Sequence, residues 1–288
     1  MAIICCQSKK MKSKINTSQR LVIISPGYNC DRFLNLWWNS IRVQNYTNWI
    51  CIAVNDMSTD ATLDRLLDFS RADNRLYVVD NQVKKYQLQN WYDIIAAPAM
   101  TNAIVYQGNT ILPTTPAICD EDIIVFIDLD DWFGTKYALE LIAKEYLYRD
   151  ILCTTGRNFS LSDYYNHDGE LYFDRRQCLR PEHIFSLVSY KAKLFRLIPR
   201  EHFYEENTGK MYRVCGDYCI TMPMFYIAGP EHHAHHFVDN LIIYNNIRPE
   251  CDDHKQSPSG EPEHQRVGKL IHHSLLSLLP RLNTLRLT

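Results

Sequence analysis

The 288-residue chain carries 31 basic and 33 acidic residues, a formal net charge of -2, with 46% hydrophobic and 12% aromatic content. That is apolar material for one large domain or two small ones, and it leaves no basic surplus for a nucleic-acid partner. The longest uninterrupted apolar runs, Met1–Cys6 and Trp49–Val54, are six residues each. Both fall far short of the roughly 20 residues of a membrane-spanning helix, so no transmembrane segment is expected.

Met1–Cys6, followed by Gln7, lacks the basic start and longer apolar stretch of a signal peptide. The ten cysteines form no CxxC pair, and read as reduced thiols of a cytoplasmic protein. Cys5 and Cys6 are candidate acylation positions, which keeps a peripheral membrane location open as the alternative. Residues 1–19 read as a polar, frayed tail.

Leu21–Ser25 is a short apolar run closed by Pro26-Gly27, a buried strand and turn. Asp31 is placed to cap the next segment, where Phe33, Leu36, Trp37 and Ile41 recur at helical spacing. Trp49–Val54 is a second strand ended by Asn55-Asp56, Ala61–Ser70 a helix, and Leu76–Val79 a third strand. Apolar strands alternating with amphipathic helices predict an α/β domain with a mostly parallel sheet covered on both faces. Such sheets bind ligands at the carboxyl ends of their strands.

Farther on, Trp91–Ala97 and Ala99–Tyr106 read as helices on either side of Pro98, Ile123–Ile127 as a strand, and Tyr137–Tyr148 as a helix. Residues 157–182 read as irregular, and 181–196 as strand and loop or a helical turn followed by a strand. Asp217–Phe225 reads as helix despite Pro223, Leu241–Tyr244 as a late strand, and Gln265–Leu279 as an amphipathic helix after a linker. The resulting partition is a tail (1–19), one domain (20–250), and a linker with a terminal helix (251–288).

Only ten glycines occur, and none fits G-x-G-x-x-G or the P-loop pattern. A nicotinamide oxidoreductase or an ATPase is thereby disfavoured. A nucleotide bound at this sheet edge would need side chains and a metal to hold its phosphates. The acidic cluster supplies such a group. Asp128 and Asp130 flank Leu129 at the end of an apolar strand, where residues two apart share a side. Converging carboxylates repel unless a cation neutralises them. Hard ions such as Mg2+ or Mn2+ take one or two carboxylates and complete their shell with substrate phosphates. A solvated acidic turn is the plainer alternative.

The chain resembles family 2 glycosyltransferases of the GT-A fold, a Rossmann-related architecture, over roughly residues 20 to 250. The resemblance rests on ordered segments: Pro26-Gly27-Tyr28-Asn29, Asn55-Asp56-Met57-Ser58-Thr59-Asp60, Asp128-Leu129-Asp130-Asp131-Trp132, and Cys215-Gly216-Asp217-Tyr218. It implies an inverting, non-processive hexosyltransferase that moves one sugar from a nucleoside diphosphate, a UDP-sugar foremost, to an acceptor hydroxyl on a glycan, protein or lipid. By the same resemblance Pro26, Tyr28, Asn29, Asp56, Asn102, Asp128 and Leu129 line the donor site. Asp130 and Asp131 hold Mn2+ or Mg2+, with His254 as a further candidate ligand, and Asp217 is the general base.

Two positions depart from the family pattern. Met57 replaces a usual glycine, and Gly216 replaces an acidic residue that often precedes the base. Rival readings are a sugar-nucleotide nucleotidyltransferase, which would want a glycine-rich basic loop in place of Pro26–Asn29, and a non-catalytic sugar- or nucleotide-binding descendant. Glu231–His236 lacks H-E-x-x-H spacing and reads as a polar surface loop rather than a zinc site. Trp132 reads equally as a sugar-stacking ring or as core; Trp37 and Trp38 read as packing.

Overall fold

The computed structural model describes residues 19–97, 100–160, 187–229, 233–245 and 263–285. Among these, β1 (Leu21–Gly27), β2 (Trp49–Asn55), β3 (Leu76–Asn81) and β6 (Ile123–Phe126) form a parallel block in the order β3-β2-β1-β6. Alternation sorts each strand between two cores. In β1, Val22 and Ile24 enter one apolar cluster, and Leu21 and Ile23 enter the other. Both faces are fully buried, which is why these strands read as continuous apolar runs. α1 (Leu34–Arg42) and α4 (Ala138–Tyr148) contribute to the second cluster. α3 (Tyr86–Ile95) contributes Leu88, Trp91, Ile94 and Ile95 to the first. Trp37 and Trp38 are buried as packing residues, and Trp38 stacks on Phe69 of α2 (Thr62–Ala72) at 5.9 Å.

The sheet extends to ten strands by antiparallel additions at its flanks. On one side β4 (Ala103–Gln107) pairs with β3, and β5 (Thr110–Leu112) pairs with β4. On the other side the order continues through β9 (Leu187–Lys191), β8 (Cys153–Ser160), β12 (His233–Tyr244) and β7 (Trp132–Phe133). β8 and β12 run parallel, and the other pairs on that side are antiparallel. Tyr204–Glu205 (β10) and Lys210–Met211 (β11) make a separate two-stranded ribbon.

Several expectations are corrected. The expected helix over 99–106 gives way, within the described residues, to a strand: Ala103, Ile104, Val105 and Tyr106 pair with β3. Residues 157–160 are strand, where Asn158, Phe159 and Ser160 pair with β12. The histidines from His233 to His236 begin β12 rather than lying in a loop. After β9 the chain enters a helix, α5 (Ala192–Leu197). Asp31 does not cap α1; it opens a short 3-10 turn and pairs with Arg65 at 2.7 Å.

α6 (Gly216–Ala228) and the terminal α7 (Glu263–Thr284) pack together on the first cluster, where Val267, Ile271, Leu275 and Leu282 are buried. His202 ties them together. One ring nitrogen lies 3.0 Å from the Cys219 carbonyl of α6, and the other 3.1 Å from Ser274 Oγ of α7. The carbonyl can only accept, so Nε2 carries the proton and Nδ1 accepts from the serine. Burial pushes this histidine down to about 4. Among the described residues, no helix is long and apolar enough to cross a membrane.

Candidate functional site at the carboxyl edge of the sheet

β1, β2, β3 and β6 all end on one rim, and the loops there are knitted to one another. The backbone N–H groups of Asn29, Cys30 and Asp31 donate to Ser58 Oγ, Thr62 Oγ1 and Asp60 Oδ2. In return Asn29 Oδ1 accepts the Thr59 N–H at 2.8 Å. Asn29 therefore braces two loops, and Tyr28 beside it stays 45% exposed. One face of the Tyr28 ring is covered by the Lys84 ammonium, 3.3 Å from the ring centroid.

Backbone strain gathers on this rim. The non-glycine residues with positive φ among those described are Asn29, Met57, Tyr86, Asn102 and Cys215. The first four follow β1, β2 or β3 or precede β4 at its junction with β3; the fifth precedes α6. L-residues adopt this conformation at a cost and keep it where the surroundings over-determine it, as at functional sites. Met57 has φ 64. It thus holds the left-handed backbone for which glycine is the usual residue.

Asp56 is only 3% exposed. Its Oδ1 accepts from Asn81 Nδ2 at 2.8 Å and the Lys85 N–H at 2.9 Å; its Oδ2 accepts the Tyr86 N–H at 2.9 Å, with Lys84 Nζ at 3.4 Å. A carboxylate has about four lone-pair sites, and protein donors take three of them. Asp56 thus anchors the start of α3, an anion at the positive end of a helix.

Pro26 and Leu129 need correction as donor-lining side chains. Pro26 lies buried inside β1, its carbonyl accepting the Leu129 N–H at 3.1 Å. Leu129 is 0% exposed. A Cβ placed on Gly27 would come within 2.6 Å of Leu129 Cβ. Leu129 thus fills the space that glycine leaves, and locks the acidic loop against the end of β1.

That packing sets the acidic residues. Asp128 is half-buried, while Asp130 and Asp131 are 3% and 7% exposed. Asp131 Oδ1 accepts the backbone N–H of Asn245, just past β12, at 2.9 Å. The Asn245 side-chain nitrogen is buried with no hydrogen-bond partner among the described residues. Oxygen-only carboxylates beside an orphaned amide donor suit a hard divalent cation accompanied by oxygen-rich guests. No group of three or more metal-ligating side chains is assembled among the described residues, and His254 lies outside them. Asp130 and Asp131 are the residues that would hold such an ion, with its remaining positions left to water and phosphate.

α6 brings Asp217 to the same edge. Asp217 is exposed in the first turn of α6, directly after Gly216. A Cβ on Gly216 would lie 3.1 Å from both Gln87 Oε1 and Trp91 Cζ3 of α3. Gln87 in turn donates to both Asp128 oxygens, at 3.1 and 2.8 Å. One side chain therefore separates the acidic loop from the turn that carries Asp217. Asn102 sits exposed where β3 meets β4, its carbonyl accepting the Gln82 N–H.

This arrangement matches known architectures. In fold, the chain is similar to S. aureus TarS 1–349 in complex with UDP-GlcNAc, with a TM-score of 0.60 at 14% identity over 92% of this chain and 70% of that one. The fold is that of the GT-A glycosyltransferases. A second GT-A structure, the mannosyltransferase PcManGT from Pyrobaculum calidifontis in complex with GDP-Man and Mn2+, has a TM-score of 0.52 at 14% identity, covering 96% of this chain and 77% of that one. In sequence, the chain is 26% identical over 160 residues to the glycosyltransferase GlyA of Streptococcus pneumoniae, 54% of this chain and 20% of that protein. It is 28% identical over 120 residues to WfgD of Escherichia coli, a UDP-Glc:alpha-D-GlcNAc-diphosphoundecaprenol beta-1,3-glucosyltransferase, 41% of this chain and 38% of that protein. The chain spans well under half the length of these curated relatives. No protein-family model matches it. Sequence and fold both relate this GT-A chain to glycosyltransferases, in line with the resemblance to family 2.

The end of β3 and the segment after it carry site residues that the four motifs do not include. Asn81, Lys84, Lys85, Gln87 and Asn90 form the hydrogen-bonded floor between the β2 loop and the acidic loop. The same strand-end rule that singled out Asp128 would have drawn attention to this polar run.

Proposed function

We propose that the chain is a metal-dependent inverting glycosyltransferase that moves one hexose or N-acetylhexosamine from a nucleoside diphosphate, UDP foremost, to an acceptor hydroxyl on a glycan, protein or lipid. The observation that carries this reading is the meeting of Asp128, Asp130 and Asp131 with the α6 start across Gln87, on the rim where the strained loops gather. The sugar-nucleotide complex of TarS, the Mn2+ complex of PcManGT and the UDP-Glc donor named for WfgD support it.

In this reading Tyr28 and the adjoining loops take the nucleoside, and Asn102 lies near the donor. Asp128 orients the ribose or sugar, and Asp130 and Asp131 bind Mn2+ or Mg2+. Such a cation neutralises charge on a departing diphosphate. Asp217, exposed toward solvent, takes the proton of an acceptor hydroxyl, which displaces the diphosphate from the opposite face of the sugar. His254 is retained as a candidate further ligand. The place of action is the cytoplasm or the cytoplasmic face of a membrane.

A binding screen of nucleoside diphosphates and UDP-sugars, with and without Mn2+, tests this. Donor binding should depend on the metal and fall away in Asp130→Ala. Metal-independent binding untouched by that substitution would remove the metal assignment. Asp217→Asn should bind donor normally and lose transfer; undiminished transfer would remove Asp217 as base.

A further inference from the structure

We infer that Gln87 is a positioning residue that sets the Asp128 carboxylate for the donor, and that Gly216 is glycine so that Gln87 can reach it. This rests on the donor reading of Asp128. The geometry is one of two constraints meeting at one side chain. From below, Asp56 receives the Lys85 and Tyr86 N–H groups at 2.9 Å each and fixes the first turn of α3. Gln87 is the next residue, so its direction is set by that anchor. Its Nε2 spans both oxygens of Asp128, at 3.1 and 2.8 Å. From above, its Oε1 is backed by the α6 start, where even a methyl group on residue 216 would lie 3.1 Å away.

An amide is suited to this task. Its nitrogen donates to a carboxylate without adding charge, so Asp128 is oriented and keeps its negative charge for the neighbouring cation site. A lysine here would cancel that charge, and a glutamate would repel it. Gln87 is half-buried, in the α3 turn that also presents Leu88 and Trp91 to the core. Its removal leaves those apolar contacts in place.

The test measures metal-supported donor hydrolysis or transfer with UDP-sugars in Gln87→Ala, Gln87→Glu and Gly216→Ala, alongside thermal unfolding. A charge-assisted bond lost from an orienting group is worth roughly tenfold or more. Gln87→Ala should raise the donor KM about tenfold with kcat changed far less and the melting temperature held. Gln87→Glu keeps the shape and should do worse, with the Mn2+ titration displaced. Gly216→Ala should act in the same direction on the donor KM, and that part should not add to the effect of Gln87→Ala because both pass through the Gln87 contact; its contact with Trp91 would register in the melting temperature instead. A wild-type donor KM in Gln87→Ala and Gln87→Glu, in a protein that turns donor over, would overturn this inference alone. A wild-type protein that binds no nucleotide sugar, with or without metal, would overturn it together with the reading beneath it. Equal losses in KM, kcat and melting temperature would show a merely structural role.

Discussion

The backbone N–H of Asn245 donates to the carboxylate of Asp131 at 2.9 Å, joining two residues 114 positions apart. The end of β12 thereby holds the acidic loop at Asp131, as Gln87 holds it at Asp128. Asp131→Asn keeps an oxygen in the accepting position. It should fold with a melting temperature close to that of the parent, yet bind Mn2+ at least tenfold more weakly. Calorimetric titration with Mn2+ in the presence of UDP checks both halves. Full Mn2+ affinity in the variant would assign Asp131 to loop anchoring only.

Asp56 predicts a different balance. Removing its carboxylate leaves two backbone N–H groups unpaired and takes one of the two hydrogen bonds of the buried Asn81 amide, which keeps Asn90. Buried donors left unpaired cost about 1–3 kcal/mol each. Asp56→Ala should lose on the order of 3 kcal/mol or more in urea unfolding, while Asp56→Asn, which retains one accepting oxygen, should lose less. A variant as stable as the parent would show that α3 starts correctly without this anchor.

Met57 offers the opposite sign. Its φ of 64 is the left-handed backbone, and its side chain is 43% exposed, so little packing is lost on deletion. Left-handed strain for an L-residue is about 1–2 kcal/mol, partly offset by the greater freedom of glycine in the unfolded chain. Met57→Gly should stabilise the protein by about 0.5–1 kcal/mol, read as a higher urea midpoint at unchanged m-value.

His202 gives a pH window. Burial lowers it from 6.5 to about 4, so it is neutral in the fold and takes up a proton more readily once unfolded. The unfolded state binds the extra proton between those values, so the contribution is complete above pH 6.5 and falls as pH drops toward 4. Its size is on the order of 3 kcal/mol. Comparing urea unfolding of the parent and His202→Asn from pH 7.5 to pH 4.5 isolates it. The gap between the two should narrow as pH falls; a constant gap would refute the linkage.

Much of the parallel block is readable from residue patterns alone. Its strands are apolar without interruption and close on Pro26-Gly27 or Asn55-Asp56, and both faces are buried. The flanks are harder because pairing, not local preference, decides them. Ala103–Gln107 is mostly half-exposed beside β3, and its short apolar run fits a helix period as well as a strand period. Gly156, Arg157 and Asn158 look like loop, yet they lie in β8, where Gly156 pairs with both β9 and β12 and Asn158 with β12. At the rim, Asp128 and Asp130 follow from strand geometry and Asp217 from motif resemblance. Pro26 and Leu129 carry the same motif signal but point into the core, which no spacing rule reveals. Gln87 was invisible because its meaning depends on Asp128, 41 residues away, and on the missing side chain at Gly216.

The five left-handed L-residues leave the protein with an uneven resistance to opening. The interior strands are held on both sides and from both faces, so their amides should exchange with deuterium only through global unfolding. The rim stores energy that local opening would release, so its amides should exchange first, by small excursions. A bound donor that bridges the loops would oppose those excursions, and protection should then rise there while the strands scarcely change. The strain on the rim would in that case act as a reserve of local motion, with the donor as the part that quiets it.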